Sequence, residues 1–191
     1  MVVPPHSRAD IAAQKSALRA QKVRQRSASP ITDGESRKLR EYLANYLETR
    51  AESVIAGTWP LPGEIDLRPV LTLLRDKGHQ IVLPETTPRG QALRFREWTE
   101  VTPMVTGRYG TSYPDGAYLD PTLILVPLLA FDKSLYRLGY GGGYYDRTLA
   151  SLKVHAVGFA ASWQEVETIP RDEFDMPMNV IVTERGILSA L

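Results

Sequence analysis

Cysteine is absent from all 191 residues. That rules out disulfides, thiolate nucleophiles and cysteine-ligated zinc, and it suits a reducing compartment. Histidine is scarce too: His6, His79 and His155 are scattered and suggest no shared site. No apolar run is long enough to span a bilayer. Residues 1–27 lack the apolar stretch of a secretory signal. Charge of one sign is missing as well: the net is +1, so nothing global calls for nucleic acid or an anionic membrane. No internal repeat or low-complexity tract stands out.

What remains is ordinary globular composition, 43% hydrophobic and 24% charged, in a length that suits one domain over 1–191. Residues 1–8 read as a loose leader. The charge is uneven. Arg8, Lys15, Arg19, Lys22, Arg24 and Arg26 stand against Asp10 alone, giving +5 before residue 28 and −4 after it. This Arg- and Ala-rich stretch has some transit-peptide character. The reading preferred here is a basic helix of the mature protein, in the cytoplasm.

The densest chemistry lies in Arg137-Leu-Gly-Tyr-Gly-Gly-Gly-Tyr-Tyr-Asp-Arg147. Glycines let a backbone take φ > 0 and approach a ligand closely. Successive N–H groups can then line an anion-binding concavity. Arginine forks suit phosphate oxygens, and a carboxylate such as Asp146 can hold Mg²⁺ against substrate phosphates. A flexible linker would be diluted with serine rather than punctuated by Tyr, Asp and Arg. The segment reads as a phosphate cradle for a nucleotide. It is neither a Walker A loop nor a dinucleotide fingerprint, since Tyr144 stands where a third glycine would fall.

Along the chain, helices are expected from Asp10 to Ser27, with Asp10 as N-cap, and from Asp33 to Thr49, with Thr32 and Glu35 as a capping box. A third runs from Asp66 to Asp76, and a fourth begins near Tyr145. Strands are expected at 53–59, 80–83 (stopped by Pro84), 122–126, 154–160 and 179–183, with a possible edge strand at 93–98. Residues 103–121 read as a long loop. Strands alternating with helices predict an α/β fold: a Rossmann-like domain with a mostly parallel sheet flanked by helices, carrying two N-terminal helices. Ligands bind such sheets outside the carboxyl ends of the strands.

Leu125-Val-Pro-Leu-Leu-Ala-Phe-Asp132 followed by Tyr136–Arg147 resembles the signature of the 5-formyltetrahydrofolate cyclo-ligase family. Further matches are Lys15-Ser-Ala-Leu-Arg19, Gly63-Glu-Ile-Asp66, Leu83-Pro84, Leu93-Arg-Phe95, Phe174-Asp-Met-Pro-Met178 and Val182-Thr-Glu184. The resemblance implies ATP- and Mg²⁺-dependent conversion of 5-formyltetrahydrofolate, with or without a polyglutamate tail, to 5,10-methenyltetrahydrofolate. No nucleic acid or membrane partner is implied. By the same resemblance Lys15, Arg19 and Arg137 contact ATP, with Leu138, Gly139, Tyr140, Gly141, Gly142, Gly143, Tyr144 and Tyr145. Trp59, Glu64 and Tyr109 face the folate, together with Tyr140, Gly141, Gly142, Gly143 and Tyr144. Asp146, joined by Asn179, holds the metal.

Each assignment has a plainer alternative. Lys15 and Arg19 would suit a solvated basic face, Trp59 and the tyrosine pair core packing, and Asp146 a helix N-terminus. Lys22 and Arg26 prolong the same stripe and could be solvated without consequence. The chain departs from the family at three places. Leu135 stands where a glycine is common, Asn179 where an Asp can stand, and Gly110-Thr-Ser-Tyr-Pro114 lacks a Glu. Two other readings remain: a phosphate-binding α/β enzyme of another class, and a nucleic-acid-binding protein using the basic helix.

Overall fold

The structure, a computed structural model, describes residues 7–190. The leader expected over residues 1–8 lies mostly outside them. What is described of it is ordered: Ser7 caps helix α1 (Arg8–Ala28) through a capping box with Asp10. Asp10, expected as the cap, is therefore the box's third helical residue. Helix α2 (Asp33–Glu48) begins with the expected Thr32–Glu35 box. Helix α3 (Arg68–Asp76) starts where Asp66 accepts from the Arg68 N–H at 2.9 Å, and Gly78 at φ 95° closes it. Helix α4 spans Tyr144–Leu152.

Five strands run parallel at the centre: β1 (Val54–Ala56), β2 (Gln80–Glu85), β6 (Leu123–Pro127), β9 (His155–Phe159) and β10 (Val180–Thr183). Antiparallel β3 (Arg94–Glu97) and β11 (Gly186–Ser189) flank them, in the order β11-β10-β9-β6-β1-β2-β3. The expected mixed α/β sheet is borne out. Pro84 does not end β2. It pairs with Phe95 of the edge strand, a place where a missing N–H is tolerated.

Successive side chains of a strand point to opposite faces, and the core divides accordingly. Ile55, Ile81, Leu123, Leu125 and Val157 pack under Leu39, Leu43 and Leu47 of α2 and Leu71 and Leu74 of α3. Ala56, Val82, Ile124, Val126 and Ile181 meet Leu149 of α4 and Phe131, Leu135 and Met178 on the other face.

Three short pairings lie outside the sequence expectations. The expected loop 103–121 contains a ribbon of β4 (Met104–Thr106) and β5 (Ser112–Pro114), with Tyr109 in its turn at φ 58°. A second hairpin joins β7 (Ala130–Phe131) to β8 (Arg137–Leu138). Its turn is tied by the Asp132 carboxylate, which accepts from the N–H groups of Ser134, Tyr136 and Ile169. Strand β11 returns from β10 through a turn containing Gly186, at φ 133°.

Candidate functional site

The carboxyl ends of β6 and β9 and the loop after β1 surround an open cleft of about 380 Å³, solvent included. Its walls include Glu64, Pro127, Phe159, Trp163, Gln164 and, from the glycine segment, Tyr140. The Tyr140 hydroxyl donates to Glu64 Oε1 and accepts from Arg26 Nη1, the latter at 2.7 Å. Glu64 Oε2 accepts from the Leu61 N–H at 2.9 Å, which fixes the carboxylate at the turn after β1. The glycine segment and Glu64, 76 positions apart, therefore face one another directly.

The segment is not one loop. Arg137 and Leu138 form β8 and are buried. Tyr144, Tyr145 and Asp146 are the first turn of α4. Gly139–Gly143 bridge the two, with Gly141 at φ 98° and Gly143 at φ 67°. Left-handed backbone favours glycine at both positions, and a side chain there would also press on an arginine head. A Cβ on Gly143 would come within 2.5 Å of the Arg147 guanidinium, and one on Gly141 within 3.2 Å of that of Arg19. Arg147 braces the bridge by donating to the carbonyls of Gly142 (2.7 Å) and Gln91 (2.9 Å).

Helix α1 lies over this bridge. Its cationic stripe meets the site at each step: Arg19 donates to the Gly139 carbonyl at 2.9 Å, and Lys22 to the Trp163 carbonyl at 3.0 Å. Lys15 lies between Asp172 and Asp175, at 3.1 and 2.5 Å. Removal from water lowers the pKa of both Arg19 and Lys22 from the ordinary value. Arg137 donates to the Met176 carbonyl at 2.7 Å and to Asp146 Oδ1 at 2.9 Å. Asp146 Oδ1 also accepts from the Met176 N–H at 3.2 Å, while Oδ2 has no hydrogen bond among the described residues. Burial, with Glu64 adding to it, pushes the Tyr140 and Tyr145 phenols above their usual range.

The structure therefore brings Lys15, Arg19, Arg137, the bridge and Asp146 together, with Glu64 across Tyr140. It does not bring in Asn179. That side chain accepts from the Ala156 N–H at 2.8 Å at the amino end of β10. It lies three residues beyond Met176 along the chain. Trp59 is half-buried and sits edge-on to Trp98 at 6.4 Å, with Arg68 4.9 Å over its ring, and it is not among the residues that line the cleft. Tyr109 is exposed at its turn and reaches Tyr144, whose hydroxyl donates to the Thr87 carbonyl at 2.9 Å.

Sequence reasoning gave no role to Asp172, Asp175, Trp163 or Gln164. The signal for Lys22 and Arg26 was present: each lies seven residues past Lys15 and Arg19, on the same helical face.

Known proteins carry the same frame. Residues 11–184 match the sequence model of the 5-formyltetrahydrofolate cyclo-ligase family. A 5-formyltetrahydrofolate cyclo-ligase of Escherichia coli (strain K12) is 30% identical over 175 residues, 84% of this chain and 96% of that one. One from Mycolicibacterium smegmatis is 29% identical over 190 residues, 92% of this chain and 96% of its own. The NMR structure of Aquifex aeolicus 5,10-methenyltetrahydrofolate synthetase superposes with a TM-score of 0.74 at 32% identity, over 92% of each chain. The glycine bridge, its arginines and the five parallel strands beneath thus fall within one matched span, and the chain belongs to the 5-formyltetrahydrofolate cyclo-ligase family.

Proposed function

We propose that this chain is an enzyme that uses ATP to close 5-formyltetrahydrofolate to 5,10-methenyltetrahydrofolate, releasing ADP and phosphate. The observation that carries the reading is the Tyr140–Glu64 contact, which sets a phosphate-type glycine bridge against a carboxylate suited to a pterin's paired donors. Hydroxide is a poor leaving group from a formamide carbon. The formyl oxygen therefore attacks the terminal phosphorus of ATP, and the bond to the ADP oxygen breaks. N10 then adds to the activated formyl carbon and loses its proton. The C–O bond breaks and orthophosphate departs with the oxygen.

The chain's own part is positioning and charge neutralisation, as in phosphoryl transfer generally. The bridge N–H groups, Arg19 and Arg137 receive the phosphates. Glu64 orients the pterin through its N–H and amino edge. Tyr144 and Tyr145 form the floor at the start of α4. The free Oδ2 of Asp146 fits Mg²⁺, which usually binds one or two carboxylates and completes its shell with phosphates and water. Among the described residues no cluster of three His, Asp or Glu side chains could hold a metal alone, so the substrate phosphates would supply the rest. When bound, the ion neutralises phosphate charge. Among the described residues no helix is long and apolar enough to cross a membrane, and a cytoplasmic enzyme without a nucleic-acid partner belongs to the same reading.

Mixing the protein with Mg-ATP and 5-formyltetrahydrofolate should generate the absorbance of the methenyl product, and omitting ATP should abolish it. Arg137→Ala and Asp146→Ala should each lower turnover about a hundredfold, as loss of one preorganised charge partner does. Both variants near wild type would sink the assignment.

A further inference from the structure

Among the described residues one buried side-chain polar atom has no hydrogen-bond partner: the indole Nε1 of Trp163. The residue lines the same cleft as Glu64 and Tyr140. Buried tryptophan N–H groups usually find an acceptor, because an unmet buried donor is costly. An indole can only donate. What would satisfy it is an acceptor brought into the cleft.

The backbone that carries this donor is held from three directions. Ser162–Gln164 form a single tight helical turn after β9. Before Trp163, Glu184 accepts from the Ser162 N–H at 2.8 Å and from the Ser162 hydroxyl. After it, buried Gln164 accepts from the Ala161 N–H at 2.8 Å and donates to the Leu128 carbonyl. The Trp163 carbonyl itself accepts from Lys22 at 3.0 Å. A donor fixed before the ligand arrives loses little freedom on binding, and that is how a few polar groups orient a ligand. The other polar side chains of the cleft are engaged. Gln164 is used at both ends, and the Tyr140 hydroxyl lies between Glu64 and Arg26. Arg26 is half-buried, so water can serve its remaining N–H groups.

A pterin presents three polar groups in succession along one edge: an amino group, a ring N–H and a 4-oxo group. Two donors are followed by an acceptor. An ionised carboxylate only accepts, so Glu64 can take the two donors, and the oxygen beside them calls for a donor from the protein. We propose that Trp163 is a specificity-determining residue: its indole N–H donates to the 4-oxo group of the pterin that Glu64 holds by its two donors. The inference rests on the reading of Glu64 as the pterin carboxylate and names the feature of that substrate which the cleft selects. A 4-amino pteridine carries N–H where the oxygen was, so two donors would face one another. A site built to hydrogen-bond one group rejects the analogue that lacks it, because its own polar group is then left unpaired.

Two measurements test it with 5-formyltetrahydrofolate and its 4-amino analogue, both without ATP. The first uses the wild-type protein. Its three tryptophans give three indole N–H signals by heteronuclear NMR, each assigned from its own backbone. Saturating 5-formyltetrahydrofolate should move the Trp163 signal downfield and leave those of Trp59 and Trp98, which do not line the cleft, nearly in place. The 4-amino analogue should not reproduce that shift. The second is titration calorimetry on Trp163→Phe, which keeps an aromatic ring and has no donor. Its affinity for 5-formyltetrahydrofolate should fall about fivefold, the worth of one neutral hydrogen bond, while that for the 4-amino analogue changes less than about twofold. Equal losses for the two ligands would make Trp163 a packing residue and overturn the proposal, as would a Trp163 signal that 5-formyltetrahydrofolate leaves in place. A downfield shift produced by ATP alone would set the nucleotide against Trp163 and overturn it too. The wild-type spectra decide even if Trp163→Phe fails to fold. A wild type that binds 5-formyltetrahydrofolate with the expected shift, yet does not convert it with Mg-ATP, would remove the proposed reaction and leave this inference standing. One that binds no folate would overturn both.

Discussion

Tyr140 holds Glu64: its hydroxyl donates to the carboxylate while accepting from Arg26, whose guanidinium lies 5.8 Å from the Tyr140 ring centroid. The carboxylate that would orient the pterin is thus occupied by a residue of the glycine bridge. Folate must displace that donor to reach Glu64. Burial and the neighbouring carboxylate raise the Tyr140 phenol, so the donor keeps its proton at neutral pH. Tyr140→Phe removes the competitor and leaves the ring. A half-exposed hydrogen bond of this kind contributes about 1 kcal/mol. The dissociation constant for 5-formyltetrahydrofolate without ATP, measured by titration calorimetry, should therefore fall about fivefold. Weaker binding in the variant would mean that Tyr140 contacts the substrate rather than guarding its site.

Leu135 occupies a left-handed turn at φ 64°, yet it is buried against the α4 face of the sheet. Two effects oppose each other there. Left-handed backbone costs a non-glycine residue about 1–2 kcal/mol. Truncating a buried leucine costs about 2–5 kcal/mol. The turn is also tied from both sides, by the Leu135 N–H to the Asp132 carbonyl and by the Met178 N–H to the Leu135 carbonyl, each at 2.9 Å. Packing wins, so Leu135→Gly should destabilise by roughly 1–3 kcal/mol despite relieving the strain. Urea unfolding of the two proteins checks this; a variant more stable than wild type would mean that strain dominates.

Legibility followed the range of the interactions. The long helices and the central strands could be read from periodicity and caps, because those signals are local: Thr32 and Glu35 are three residues apart and make the box they imply. Hairpin β7–β8 escaped because each strand is two residues long and its turn is set by Asp132, which also reaches Ile169. The basic stripe of α1 was visible, but its burial was not. Lys15 and Lys22 are the only buried residues of that helix, and their partners lie 157, 160 and 141 positions away. No local pattern distinguishes such lysines from a solvated face. Arg137 and Asp146 became candidates through the chemistry of the glycine segment and Glu64 through family resemblance, and geometry added the Met176 peptide between the first two. The bond from the Ala156 N–H to Asn179 could not be read from its position along the chain.

Lys22 is the clearest case of a charge the fold tolerates rather than exploits. It is 4% exposed, donates to the Trp163 carbonyl and lies 5.4 Å from the centroid of that ring. No carboxylate pairs with it among the described residues. Burial lowers its pKa, so the folded state holds this proton less tightly than the unfolded chain does. The sign of the linkage follows. Below the folded pKa both states are protonated and the desolvation penalty acts in full. As pH rises through the folded pKa the native ammonium gives up its proton, and the penalty is gone above the unfolded value of about 10.4. Wild type should therefore gain stability relative to Lys22→Met on the alkaline side, with the difference levelling off near that upper limit. Methionine keeps a stem against Trp163 and carries no charge. Tyrosines titrate alike in both proteins and cancel in the comparison. Urea unfolding of the pair at intervals from pH 7 to about 10.5 reads the slope directly. A difference that stays flat across that range would show that water reaches the ammonium and that its burial carries no electrostatic penalty.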